Sequence, residues 1–466
     1  MTHNPLAPSW LVEPDDANAL APGLWPSTAA RAESGELQIG GVSAHELAQQ
    51  FGTPLYVVDE RDARERAGEV REALHYAFAQ IGSRAHVYYA GKALLTSEVA
   101  RWMVEAGCRI DVCSGGELGV ALAAGVEADR IGFHGNNKSL SEIDRAVASG
   151  VGTIIIDSIQ EIDRVAEAAV RHGARQRVRL RVNSGVHAHT HEFLATSHED
   201  QKFGLTLEAA PDAVARIRAF ERLEFIGLHC HIGSQIFGSG GFAESAARLL
   251  AVHKELLRTG PVAELNLGGG FGIAYTSVDD PTPIGELAEA IARIVSDECE
   301  LLRIPIPDVA FEPGRTIIGT AGVTLYEAGT TKSVDVETES GTKTRLYVSV
   351  DGGMSDNART ALYDADYSVR IASRRSDAAP ALVRIAGKHC ESGDIVVSAD
   401  YLPSDVEPGD LLAVPATGAY CWSLASNYNY LGRPPIVAVR DGRARVIVRG
   451  ETEADLMARD AGLDGR

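Results

Sequence analysis

Between residues 85 and 315 one unit recurs eight times: a short β-rich apolar run that stops at polar or glycine residues, followed by a helical stretch. The runs end around Lys92, Asp111-Val112-Cys113-Ser114, His134-Gly135, Asp157-Ser158, Arg181-Val182-Asn183, His229-Cys230-His231, Asn266-Leu267-Gly268-Gly269-Gly270 and Glu312-Pro313-Gly314-Arg315. Amphipathic stretches such as Ser158 to His172 and Ile284 to Leu302 lie between them. Parallel strands need crossover helices of one hand, which leaves a closed barrel or an open doubly wound sheet. Eight units favour an α/β fold of the (β/α)8 TIM-barrel type, whose chemistry gathers at the C-terminal strand ends. Lys92, Asp111, His134, Arg181, His231, Gly270 and Glu312 all fall there.

After about Thr320 the rhythm changes to short alternating segments such as Arg345–Val350, Asp394–Ser398 and Arg445–Arg449, separated by Gly, Pro and Asp turns. The expected organisation is a loosely held extension over 1–35 and a segment over 36–58 that contributes to a β domain. The barrel follows over 59–318, and an all-β domain of sandwich or barrel type over 319–466.

The formal charge of -20 argues against a nucleic-acid partner, since phosphate contacts need clustered Lys and Arg. No run approaches the roughly 18 apolar residues of a membrane span. The first residues have neither a basic start nor an apolar core, so they do not read as a signal peptide. Six cysteines without a Cys-x-x-Cys pair suggest no disulfide frame and point to a reducing cytoplasm.

Lys92 closes an apolar strand, where a desolvated amine becomes a nucleophile able to form a Schiff base; a lysine snorkelling out of a strand end is the plainer alternative. Leu267-Gly268-Gly269-Gly270-Phe271-Gly272 lets backbone amides approach an anion, and the turn after the seventh barrel strand is a frequent phosphate site. Such a run also serves as a tight turn without a ligand. Ser234 could add a hydroxyl to the same phosphate. Glu312 at the barrel mouth needs a positive partner, either a protonated pyridine nitrogen or Arg315 or Arg181. His229 with His231, and His187, His189 and His191, invite a metal reading, but no further ligand accompanies them and no metal is expected. Cys390 beside Glu391 reads either as an acid next to a binding carboxylate or as an inert core thiol. Tyr420 could reach a phosphate or simply pack.

Together these segments resemble the fold-type III, alanine-racemase-like and ornithine-decarboxylase-like enzymes that use pyridoxal 5'-phosphate (PLP), and within them the meso-diaminopimelate decarboxylases. The resemblance runs from about Pro54 to Leu431. It rests on Tyr89-Ala-Gly-Lys92-Ala, Asp111-Val-Cys-Ser-Gly-Gly-Glu117-Leu, His134-Gly-Asn-Asn-Lys138, Gly227-Leu-His-Cys-His231-Ile-Gly-Ser234-Gln, Gly268-Gly-Gly270-Phe-Gly, Glu312-Pro-Gly-Arg315, Cys390-Glu391-Ser-Gly-Asp and Gly418-Ala-Tyr420.

The resemblance implies that Lys92 carries PLP as a Schiff base. Ser234, Gly269, Gly270 and the Glu312 to Arg315 backbone, with Gly314, would hold the phosphate. His231 would stack on the ring, Glu312 would pair with its nitrogen, and Asp111, His134 and Arg181 would complete the cofactor contacts. A carboxylate on that nitrogen suits loss of carbon dioxide. Arg315, Arg359, Tyr363 and Glu391 would recognise substrate, and Tyr420 would touch both substrate and cofactor. Cys390 would protonate the product, reaching with Glu391 into the neighbouring subunit of a homodimer. The implied reaction converts meso-2,6-diaminopimelate to L-lysine and carbon dioxide, the last step of lysine biosynthesis by that route.

The family's usual Arg-Val-Asn-Pro reads Arg181-Val182-Asn183-Ser184 here. Three rivals stand beside this expectation. One is a decarboxylase of ornithine or arginine, which needs no cation such as Arg359 for a distal carboxylate. The second is a catalytically silent PLP-binding protein, which lacks the large β domain. The third is a cofactor-free Schiff-base aldolase, which leaves Glu312 without a purpose.

Overall fold

The computed structural model describes residues 4–186 and 202–463, so His187, His189 and His191 lie outside the described residues. The chain divides into two units, one of residues 64–272 and 281–317, the other of residues 1–63, 273–280 and 318–466.

In the first unit eight parallel strands close on themselves: β1 Ala85–Ala90, β2 Arg109–Val112, β3 Ile131–Phe133, β4 Thr153–Ile156, β5 Gln176–Asn183, β6 Leu223–His229, β7 Glu264–Asn266 and β8 Asp308–Phe311. β8 pairs back onto β1 with Val309 opposite Ala85, which completes a TIM barrel. Strands covered on both faces need continuous apolar runs, and all four residues of β4 are buried. The helix Ile159–Arg171 begins at Ser158, whose side chain accepts the Glu161 amide, and buries Ile162, Val165, Ala166 and Ala169 along one stripe. Arg179 is a charged exception inside the barrel. It is fully buried, with Nη2 2.5 Å from Glu264 Oε2 and 3.2 Å from the Tyr88 hydroxyl, so its charge is neutralised where water cannot reach.

The second unit is mostly β. Its longer strands after the barrel are β9 Gly322–Thr338, β10 Gly341–Val350, β11 Pro380–Ala386, β12 Ile395–Pro403, β13 Leu411–Pro415, β14 Ile436–Arg440 and β15 Arg443–Val448. The early strand Leu55–Asp59 inserts between β9, antiparallel, and β14, parallel, and all five of its residues are buried. The residues before it are not a loose extension. Leu24 and Trp25 pack into one core with Leu55, Val57 and Val437, and Ala7 and Leu11 join Leu382 and Tyr401 in another. Each large side chain so buried contributes about 1.5–3 kcal/mol relative to exposure. The Arg31 guanidinium adds bonds to the carbonyls of Asn18, Gly35 and Ile371. Among the described residues no helix is long and apolar enough to cross a membrane.

Candidate functional site

Lys92 lies in a single 3-10 turn, Gly91–Ala93, directly after β1. Gly91 and Ala93 are buried but the lysine side chain is exposed, so the expected desolvation does not apply to it. The apolar run stops one residue short of Lys92. The turn is pinned by close packing: a Cβ on Gly91 would lie 2.7 Å from the Asp111 carbonyl oxygen, and one on Gly314 would lie 3.0 Å from Ala90 Cβ and 3.1 Å from Ala93 Cβ. The Ala90 amide also donates to the Pro313 carbonyl at 3.0 Å, which brings the segment after β8 against the Lys92 turn.

Glu312, just past β8, is the centre of a charged ring. Its carboxylate accepts from Asn266 Nδ2 at 2.7 Å, with His229 Nε2 3.0 Å and His134 Nε2 3.3 Å away. The alternative partners expected from sequence are engaged elsewhere. Arg315 donates to Ser234 Oγ at 2.9 Å, and Arg181 lies 3.9 Å from Asp157 and over the Phe203 ring. Burial works against the charge of Glu312, but the two imidazoles outweigh it and hold the carboxyl well below its usual range. His134 also lies 3.3 Å from Asp111 Oδ1, close enough for charge attraction although out of line for a hydrogen bond. Burial disfavours its protonation, yet Glu312 and Asp111 prevail and raise its pKa to about 9. Burial dominates at His229 and lowers it to about 4. One imidazole on Glu312 is therefore charged and the other neutral.

His134, His229 and Glu312 bring ligand-type atoms within 4.8 Å of one another. His231, which the sequence pairs with His229, is not in this group. His231 is instead turned to the glycine run, its Nδ1 accepting the Gly269 amide at 3.3 Å. Burial, then the Lys92 charge, keeps its ring neutral.

The glycine run is required by crowding. Gly268 and Gly270 have φ of +71° and +101°, and a Cβ on Gly269 or Gly270 would lie 2.1 Å from the Glu312 carbonyl or 2.2 Å from that of Gly233. The Gly270 amide has no acceptor among the described residues, and the Ser234 hydroxyl and Arg315 guanidinium are joined to each other. One barrel end thus carries amide, hydroxyl and guanidinium donors, an ionised carboxylate and a primary amine. These match the phosphate, ring nitrogen and aldehyde of PLP, so the residues present fit the cofactor.

Three groups at this end escaped the sequence reading. Asn266 orients Glu312, while Cys113 and Glu117 share the Lys92 field and are joined through the Cys113 amide to Glu117 Oε2 at 2.6 Å. Asn266 carried a signal as a polar residue at a strand end before a glycine run, and Cys113 and Glu117 lay within a recognised segment that gave no hint of their role.

In the β unit, Arg359 opens the short helix Arg359–Tyr363 and is 7% exposed. Its guanidinium lies 4.7 Å from the Tyr275 ring centre, 5.7 Å from that of Tyr367 and 6.0 Å from that of Tyr420, and Nη1 donates to the Tyr367 hydroxyl at 2.7 Å. No carboxylate among the described residues pairs with it. Tyr420 has φ +68° and Tyr363 is exposed. Cys390 and Glu391 are exposed in the turn between β11 and β12, which excludes an inert core role for that thiol. Arg359 and Tyr420 are therefore brought together, while Tyr363, Cys390 and Glu391 stand at the surface.

Residues 67–319 match the family model of the pyridoxal-dependent decarboxylases, pyridoxal binding domain. The diaminopimelate decarboxylase of Mycobacterium tuberculosis is 52% identical over 447 residues, 94% of this chain and 98% of that protein. A crystal structure of the M. jannaschii diaminopimelate decarboxylase in complex with L-lysine matches with a TM-score of 0.85 at 33% identity, covering 94% of this chain and 98% of that one. A lysine/ornithine decarboxylase from Vibrio vulnificus complexed with putrescine shares the fold at a TM-score of 0.67 and 22% identity, over 86% of this chain and 99% of that one. With both the barrel and the β unit inside these matches, the chain belongs to the diaminopimelate decarboxylase family of pyridoxal-dependent decarboxylases.

Proposed function

We propose that this protein decarboxylates meso-diaminopimelate to L-lysine, with Lys92 as the covalent anchor of PLP. The observation that carries the substrate is Arg359: a buried guanidinium surrounded by tyrosines, with no carboxylate partner among the described residues. A buried cation without an anion is costly, and a substrate bearing a second carboxylate far from the reacting carbon supplies one. Ornithine and arginine bring a cation to that position instead.

Bound at the barrel end, PLP supplies an electron sink for the bond to the departing carboxylate. Glu312, held ionised by His134, His229 and Asn266, keeps a proton on the ring nitrogen. Ser234, Gly269, Gly270, Gly314 and Arg315 would hold the phosphate, His231 would stack on the ring, and Asp111, His134 and Arg181 would complete the cofactor contacts. Arg315 and Arg359 bind substrate carboxylate with Tyr363 and Tyr420, and Glu391 binds the distal ammonium. Cys390 delivers a proton to the α-carbon after carbon dioxide leaves.

Cys390 and Glu391 act in the site of a second copy of the chain. Exposed apolar side chains support this: Leu362 and Tyr363 follow Arg359, and Tyr428 and Tyr430 flank the residue that accepts the Cys390 amide. A second copy would cover them. The test is carbon dioxide release and amino-acid product from diaminopimelate, ornithine and arginine side by side in the presence of PLP. Lysine formed from diaminopimelate alone is expected. Turnover of ornithine or arginine without turnover of diaminopimelate overturns the assignment.

A further inference from the structure

The turn from Lys388 to Asp394 presents Cys390 and Glu391 to solvent, yet its base is built more tightly than a surface turn requires. Asp394 is buried, and its carboxylate accepts from the Met354 amide at 2.6 Å, the His389 amide at 2.7 Å and His389 Nδ1 at 2.8 Å. Two glycines leave room for it: a Cβ on Gly387 would lie 2.2 Å from Asp394 Oδ2, and one on Gly353 would lie 2.5 Å from Oδ1. The His389 ring lies parallel to that of Tyr428, with centres 5.5 Å apart and planes 5° from parallel. The next residue, Asn429, is exposed and left-handed at φ +50°, and its side-chain oxygen accepts the Cys390 amide at 3.0 Å.

We propose that His389, Asp394, Tyr428 and Asn429 are positioning residues that fix the backbone of Cys390 and so the direction of its thiol. This rests on the assignment of Cys390 as the proton donor. A cysteine sulfur is attached at Cβ, so once the backbone is held only three χ1 wells remain. The backbone is held before the thiol by the His389–Asp394 pair and by the Asn429 oxygen at its own amide, and after it by the Glu391 amide donating to the His389 carbonyl at 2.8 Å. A misplacement of about 1 Å costs on the order of 10²-fold in rate.

The experiment compares full-length wild type with Asn429→Gly, Asn429→Asp and Cys390→Ala in steady-state turnover of diaminopimelate and in thermal unfolding. Glycine accepts the left-handed backbone but has no side-chain oxygen, whereas aspartate tolerates that backbone and keeps an acceptor. The expected result is a kcat lowered about 10-fold or more in Asn429→Gly, with KM and Tm unchanged, and near-wild-type kcat in Asn429→Asp. Full kcat in Asn429→Gly beside an impaired Cys390→Ala overturns the positioning role. Equal losses in the two Asn429 variants, or a loss that only follows a lower Tm, also overturn it. Full kcat in Cys390→Ala overturns the underlying assignment instead.

Discussion

The barrel end and the β unit hold their charges in opposite ways. At the barrel end Glu312 is met by His134, His229 and Asn266, and His134 lies in turn against Asp111, so each charge has partners within the protein. In the β unit Arg359 is buried against tyrosines with no carboxylate partner among the described residues, and Cys390 and Glu391 stand in solvent. The contrast separates two tasks. A resident cofactor needs an environment whose protonation states are set before it arrives, and a transient substrate needs a site left one charge short.

The contrast breaks first at Lys92. Lys92→Ala is expected to lower kcat by about 10³-fold or more through loss of covalent catalysis, and to retain less PLP by absorbance after gel filtration. Next is Glu312→Gln, expected to cost roughly 10²–10³ in kcat with its far-UV circular dichroism unchanged. A rise in KM alone, with kcat unchanged, would show that the carboxylate serves binding and not the ring nitrogen. In the β unit the effect moves to affinity: Arg359→Leu is expected to raise KM for diaminopimelate about 10–100-fold, as the loss of a charged hydrogen bond would. Unchanged KM would remove the argument for a distal carboxylate.

The smallest effect is on stability against pH in the cofactor-free protein. His134 has a folded pKa of about 9, above an unfolded value near 6.5, so its contribution is full below about 6.5 and is lost as pH rises through about 9. His229, lowered to about 4, contributes above about 6.5 and loses that contribution as pH falls toward about 4. Urea unfolding across this range is expected to show His134→Asn flattening the alkaline limb alone. Flattening of the acid limb instead would contradict the proton's place on His134.

The eight strands, the Lys92 turn and the place of Glu312 were legible because each depends on local periodicity and on what ends a strand. The partners of Glu312 were not. His134, His229 and Asn266 come from three strands far apart in sequence, and only closure of the sheet brings their side chains to one carboxylate. The same reason hid the Arg179–Glu264 pair and the docking of Leu24 and Trp25 on the strand Leu55–Asp59. Lys92 was expected to be buried because its strand is, but burial ends at Gly91 and resumes at Ala93.

The most direct measurement is borohydride reduction of the PLP-loaded protein followed by peptide mass analysis. A single reduced adduct on the peptide containing Lys92, absent in Lys92→Ala, is the expected result. No adduct, or one on another lysine such as Lys138, would contradict the account of the barrel end as the cofactor site.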